Sequence, residues 1–261
     1  YPALTEYFIA QSRLQGPKKL STGETSAEST QNAAKFDYND GWAATSGWNS
    51  GKQSWMWKRG AGFDVVAYKG NGSTSYQIPH SLAKIPEMYW VKARDRSASW
   101  YVYHKGLNGG SNPAEYNIQL NSNGAEADAA YWADTMPTST HFSVGQGDNI
   151  NFAENYIAML FASVDGISKV GSYTGTGNNQ SVTTGFQPRF ILIKRTSYAE
   201  DWFIFDSLRG LVSGSPDPYL RPNETAAQVT TASFFDISST GFTVTANFTN
   251  NANNSFVNDC Y

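Results

Sequence analysis

Ile85-Pro86-Glu87-Met88-Tyr89-Trp90-Val91-Lys92, answered further on by Gln187-Pro188-Arg189-Phe190-Ile191-Leu192-Ile193-Lys194, is the stretch on which the fold is read. Each copy has a proline, a short apolar run rich in β-branched and aromatic residues, and a closing lysine. Such a run reads as a strand buried on both faces. A second pair follows, Trp100-Tyr101-Val102-Tyr103 and Trp202-Phe203-Ile204-Phe205. The links between the two strands, Ala93 to Ser99 and Arg195 to Asp201, are polar, so each pair is expected to form a hairpin with a longish loop.

The proline, lysine and tryptophan recur at one common offset, and working outward the correspondence continues. Tyr68-x-Gly70-x-Gly72 answers Tyr173-x-Gly175-x-Gly177, and the glycines mark turns that need positive φ or little bulk. His141-Phe142-Ser143-Val144 answers Gly241-Phe242-Thr243-Val244, and Asn155-Tyr156 answers Cys260-Tyr261. The N-terminal part joins in. Tyr7-Phe8-Ile9 resembles Trp202-Phe203-Ile204, and Leu20 to Ala27 tracks Leu220 to Ala227. These matches predict units of about 100 residues. Residues 1–62 form the C-terminal half of a first repeat, 63–165 a complete second, and 166–261 a third without its final strand. The expectation is a window on a longer polypeptide. No long stretch has a clean helical period, though Ser21 to Ala34 and Asn223 to Ala232 are read as room for a short helical turn. Many short strands with frequent turns make the predicted fold all-β, a series of tandem β-sandwich-like repeats.

Composition narrows function by exclusion. The 261 residues carry a net charge of −3, with 19 basic side chains spread along the chain, so no polybasic footprint for nucleic acid is present. No apolar run approaches the roughly 20 residues that span a membrane. One cysteine, Cys260, excludes an internal disulfide framework and a cysteine-based zinc site, and three scattered histidines argue against a histidine metal centre. With 40% apolar and 15% aromatic residues the chain can fill a core.

The run Gly62-Phe63-Asp64-Val65-Val66-Ala67-Tyr68 through Gly72 resembles a repeated domain, without assigned function, in tail-fibre-like virion proteins of bacteriophages, especially those of marine bacteria. So do Pro86 to Asp95, Trp100 to Leu107, and Asp165 to Gly175. The resemblance covers nearly the whole chain and its motifs are structural. It implies a virion surface protein in a tail or head appendage, made in the host cytoplasm. The implied form is a homo-oligomer beside other virion proteins, a trimer being the form fibres often take. Its lectin-like companions hint at glycan binding.

Candidate chemistry is sparse. A glycosidase needs two carboxylates about 5–10 Å apart. Glu126/Asp128 and Glu200/Asp201 are local pairs, but neither sits in a motif, and Asp201 is answered by Ser99. No Gly-x-Ser-x-Gly elbow occurs, and the Gly-x-Gly pairs lack the third glycine and helix of a dinucleotide site. Asp148 to Asn151 and Asn250 to Asn254 offer oxygens, yet calcium wants about six to eight, several of them carboxylates; both read as turns. No cofactor and no metal is expected.

Aromatics say more, because sugars stack on exposed rings. An aromatic answered by an aromatic belongs to the core: Tyr68/Tyr173, Trp100/Trp202, Tyr103/Phe205 and Phe142/Phe242. An unanswered one is freer to meet a ligand, which selects Trp48, Tyr76 and Tyr198 as candidate glycan-binding residues. Trp132 is added with less weight, since Phe234-Phe235 lies nearby in register. Lys92 and Lys194 read as structural, snorkelling or paired. The resulting expectation is a non-enzymatic phage structural protein in host attachment, touching surface glycan or spacing a receptor-binding tip. Alternatives are a capsid-attached decoration fibre, a glycan depolymerase and a secreted bacterial adhesin.

Overall fold

The structure is a computed structural model and describes residues 8–30, 34–35, 41–44, 53–146, 149–248 and 259–260. Its strands pair antiparallel throughout. In the first stretch β1 (Ile9–Ala10), β2 (Lys18–Ser21) and β3 (Ser29–Thr30) form one small sheet, while β4 (Ala34–Lys35) pairs with β5 (Ala43–Ala44).

The central stretch holds β6 (Phe63–Lys69), β7 (Ser75–Pro79), β8 (Met88–Ala93), β9 (Tyr101–His104), β10 (Tyr116–Gln119), β11 (Ala127–Asp128), β12 (His141–Gly145) and β13 (Asn155–Phe161). Six of these make a sheet in the order β11-β10-β9-β8-β13-β6, and β12 pairs with β7 in a second layer. The last stretch holds β14 (Ser172–Tyr173), β15 (Gln180–Thr183), β16 (Phe190–Arg195), β17 (Trp202–Asp206), β18 (Tyr219–Leu220), β19 (Phe235–Ser238), β20 (Gly241–Val244) and β21 (Asp259–Cys260). It builds a five-stranded sheet, β14-β21-β16-β17-β18, and a three-stranded one, β15-β20-β19. β21 lies between β14 and β16, as β13 lies between β6 and β8.

Alternation explains why these runs are strands, because successive side chains in a strand point to opposite faces. In β13, Tyr156, Ala158 and Leu160 enter one core, and Ile157, Met159 and Phe161 enter another. In β8, Tyr89, Val91 and Ala93 enter the first core, while Met88 and Trp90 turn to the second. The central sheet is therefore covered on both faces, as the apolar runs predict. The first core is aromatic: Tyr89 stacks on Tyr103 at 4.6 Å, Tyr68 on Tyr156 at 5.1 Å, and Phe142 closes the layer from β12. The second core takes Leu20 from the first stretch and Val170, Trp202 and Leu192 from the last, so all three stretches share it. A third core packs Ile191, Ile193 and Phe205 against Phe235, Phe242 and Val244.

The aromatics answered by aromatics are core or core-facing, Trp100 and Phe205 being wholly buried. Gly70 shows why its turn tolerates no side chain: a Cβ there would lie 1.9 Å from the Phe152 carbonyl oxygen. Gly72 has φ +71°, the left-handed region that glycine adopts without cost.

One expectation is corrected and another narrowed. No helix forms over residues 21–30 or 223–232, where the only turns are the single bonded ones of Glu24 to Ser21 and Glu224 to Arg221; the short 3-10 turns lie at Arg13–Gln15, Leu107–Gly110, Pro113–Glu115 and Ala130–Trp132. The Thr25 carbonyl and the Glu28 N–H bond to the loop after β8 rather than along their own segment. Of the two structural readings of Lys92 and Lys194, pairing holds and snorkelling does not. Both are wholly buried, with Lys92 Nζ donating to the Thr25 and Ala93 carbonyls at 3.1 and 3.0 Å and Lys194 Nζ to the Arg195 carbonyl. Among the described residues no helix is long and apolar enough to cross a membrane.

Candidate functional site

The segment after β2 lies along the loop between β8 and β9, and the seam is pinned at several points. The Glu28 N–H donates to the Arg94 carbonyl (2.7 Å), and the Ala98 N–H donates to the Thr25 carbonyl (2.8 Å). The Trp100 indole N–H reaches the Ser21 carbonyl at 2.8 Å. The Arg94 guanidinium meets the buried Glu28 carboxylate at 2.6 Å. Lys92 adds its bond to Thr25 from below. Buried polar groups stay where their partners hold them, so this seam is a fixed one.

A groove of about 780 Å³ opens along it, lined by Glu24, Ser26, Asp95, Arg96, Ser97 and Asn121 among others. Its groups are preset. Asp95 accepts from the Asn155 backbone N–H (3.0 Å) and side-chain amide (2.6 Å). Arg96 donates to Asn149 at 3.1 Å and lies over the Phe152 ring at 5.1 Å. Ser97 donates to Thr25 and Ser26 to Glu24, at 3.1 and 2.7 Å. Asn121 accepts the Trp100 N–H at 2.7 Å. Hydroxyls, an amide, carboxylates and a guanidinium facing one open groove form the donor and acceptor set that a polyhydroxylated ligand needs.

Below the groove burial controls charge. It holds the Lys92 ammonium down to about 8; the nearby Glu28 charge works against that fall, and Arg96 adds to it. Elsewhere burial raises the Asp217 carboxyl, opposed by the backbone N–H groups of Phe235 and Phe234. Burial also pushes the Tyr68 and Tyr89 phenols well up.

The aromatic candidates do not gather in this groove. Trp48 lies outside the described residues. Tyr76 is half-buried in β7, packed against the first core. Tyr198 stands exposed on the loop between β16 and β17, with the Arg195 guanidinium 4.4 Å from its ring centre. Trp132 is a correction: it is 0% exposed, edge-on to Tyr89 at 4.9 Å, and its indole N–H donates to the Tyr116 carbonyl. No face of that ring is open to a sugar.

The local carboxylate pairs serve the scaffold. Glu126 accepts the Asn108 N–H at 2.7 Å, and Asp201 holds Arg221 (3.0 Å) and Asn223 (2.7 Å). Of the oxygen-rich loops, Asn151 bridges Asn71 and Ser73, a turn's use of an amide, while Asp148 and 250–254 lie outside the described residues. No group of three or more metal-binding side chains comes together among the described residues. Ser81, beside His80, bonds to Asp64 rather than to a histidine.

Sequence reasoning missed the groove residues. The only signal was positional: both walls belong to segments already marked as corresponding, 20–27 and the link 93–99. Their residue types are those of any solvated loop. No curated protein and no solved structure matches the chain. One family does, described as Domain of unknown function (DUF7483), and its match runs over residues 5–260. With every residue from β1 to β21 inside that match, the chain belongs to the DUF7483 family.

Proposed function

We propose that this chain is a surface protein of a bacteriophage virion, part of a tail-fibre-like appendage that attaches the particle to its host. In this reading it is built from tandem β-sandwich-like repeats of about 100 residues. Paired contacts support the repeats. The Trp100 N–H is capped by Asn121 and the Trp202 N–H by Asn223. The Trp100 indole reaches the Ser21 carbonyl, and the Trp202 indole the Gln119 carbonyl. Lys92 and Lys194 are both buried against carbonyls.

The observation that carries attachment is the preset polar groove between residues 23–27 and 95–97. It offers a saccharide chain hydrogen-bonding partners that are already held in position, which lowers the ordering cost of binding. The partner is host surface glycan, and the role is adhesion without turnover. Gold-labelled antibody against the chain, imaged on intact phage particles, tests the reading. Label on tail appendages is the expected result. Label on the head moves the protein to a capsid fibre, and particles without label overturn the virion assignment.

A further inference from the structure

The seam described above has a second version. The Glu126 N–H donates to the Thr196 carbonyl at 2.8 Å, and the Glu200 N–H donates to the Asn123 carbonyl at 2.7 Å. In the first seam the same two bonds join Glu28 to Arg94 and Ala98 to Thr25. The Trp202 indole donates to the Gln119 carbonyl at 2.9 Å, matching Trp100 to Ser21. Backbone bonds on both sides therefore fix Thr196 and Glu200 against 123–126, and the residue midway between them is Tyr198. Its counterpart midway between Arg94 and Ala98 is Arg96, a wall of the first groove.

We propose that this second seam is a saccharide-binding site distinct from the first groove, with Tyr198 as its stacking platform and a neutral pyranoside as its ligand. The inference rests on the attachment reading and deepens it. Tyr198 is 62% exposed, whereas the aromatic rings around it in sequence, Trp202 and Phe205, are buried. The Arg195 guanidinium lies over the ring at 4.4 Å, a contact that favours one ring orientation. An aromatic ring loses little freedom on binding, since it has two side-chain torsions. The C–H face of a pyranose packs on such a ring, and the hydroxyls at its edge need partners. The facing segment supplies the exposed amide of Asn123 and the hydroxyl of Ser122, which accepts the Gly124 N–H at 3.0 Å. Where the first groove sets Glu24, Asp95 and Arg96, the second seam sets Ser122, Ser197 and Tyr198. At these three positions neutral groups replace charged ones, and the one charged group against the ring, Arg195, is already engaged with its face; the proposed ligand is therefore an uncharged sugar.

The test titrates the whole chain with methyl β-glucoside, methyl β-galactoside and methyl N-acetyl-β-glucosaminide, followed through the Tyr198 ring resonances where that ring is present and through the broadening of the glycoside's own resonances in every variant. Tyr198→Ala, Tyr198→Phe and Ser26→Ala are compared with the parent. At least one glycoside is expected to shift the Tyr198 ring saturably. Tyr198→Ala then weakens binding about tenfold, the size of one ring contact, while Tyr198→Phe keeps it within about threefold and Ser26→Ala leaves the titration of the Tyr198 ring itself unchanged. A Tyr198 ring that no glycoside moves, or a Tyr198→Ala chain that binds like the parent, overturns the site. Binding lost in Ser26→Ala and kept in Tyr198→Ala overturns it too, and leaves attachment through the first groove standing. Unlabelled particles in the antibody experiment sink the attachment reading whatever the titration gives.

Discussion

Lys92 concentrates the physics of the fold in one side chain. It sits mid-sheet in β8, wholly buried, on a sequence position that looks like the polar end of a strand. Burial lowers its folded pKa from 10.5 to about 8. The unfolded chain therefore holds this proton more tightly than the folded one between about pH 8 and 10.5. Stability rises with pH wherever the unfolded state binds more protons. Deprotonating Lys92 thus contributes stability that grows from about pH 8 upward, on the order of 3 kcal/mol in full. The buried tyrosines oppose it. Their raised phenol pKa values mean that stability is lost once the unfolded chain's tyrosines ionise near pH 10. The urea midpoint is expected to climb between pH 7.5 and 9.5 and to fall beyond. Lys92→Met should flatten the climb, because Thr25 O keeps the Ala98 N–H as its donor. A wild-type midpoint that stays level over that range refutes the buried ammonium.

Trp132 and Tyr198 show what a single residue's sequence context conveys. Tyr198 has no aromatic counterpart and Trp132 has only Phe234-Phe235 nearby in register; the first is surface and the second core. The difference lies in backbone that no pattern announced. Trp132 ends the 3-10 turn Ala130–Trp132 and swings under Tyr89 and Tyr103. Near its counterpart position the space is filled from strand β19 by Phe235. Trp132→Ala is expected to cost about 3–5 kcal/mol in urea unfolding. Tyr198→Ala is expected to stay within about 0.5 kcal/mol of the parent, as surface substitutions do.

At the scale of elements, the hairpins of β8 with β9 and β16 with β17 were legible because periodicity and length both spoke for buried strands. The seam between 22–28 and 94–98 was not. Its residues read as a turn-former's mixture of Ser, Thr, Gly and Glu, and their backbone partners come from a distant loop. Local pattern carries no trace of such a partner. Glu28 is the residue whose loss exposes this. Its side chain is 2% exposed and bonds Arg94, which is partly open to solvent. Glu28→Ala should cost about 1.5–3 kcal/mol, the range for a bond to a charged group. The loss is also local: amide exchange at Glu28 and Ala98, whose N–H groups cross the seam, is expected to speed up more than exchange in β13. Equal acceleration everywhere refutes a discrete seam. The same variant removes the charge that partly restores the Lys92 pKa, so its pH climb should begin lower than in the parent.

At the scale of the molecule, the question is whether the stretches 1–62, 63–165 and 166–261 behave as beads or as one body. The second core answers in terms of contacts. Leu20 comes from the first stretch, Ile118, Ile157 and Met159 from the middle, and Trp202 from the last. The Thr22 hydroxyl donates to the Pro222 carbonyl at 2.7 Å in a buried setting, tying the first stretch directly to the last. A residue in a shared core stabilises every layer that touches it, so removing it cannot melt one stretch alone. Leu20 is wholly buried there. Leu20→Ala should cost about 2–5 kcal/mol, the transfer of the lost methyls plus the cavity they leave. Calorimetry is expected to show one peak, shifted downward as a whole, with the calorimetric enthalpy equal to the van't Hoff value. Beads would give a different trace: a small component moving down while the main peak stays in place. That outcome would break the shared core into separate units, and with it the premise that the two seams are rigid enough to hold their side chains ready.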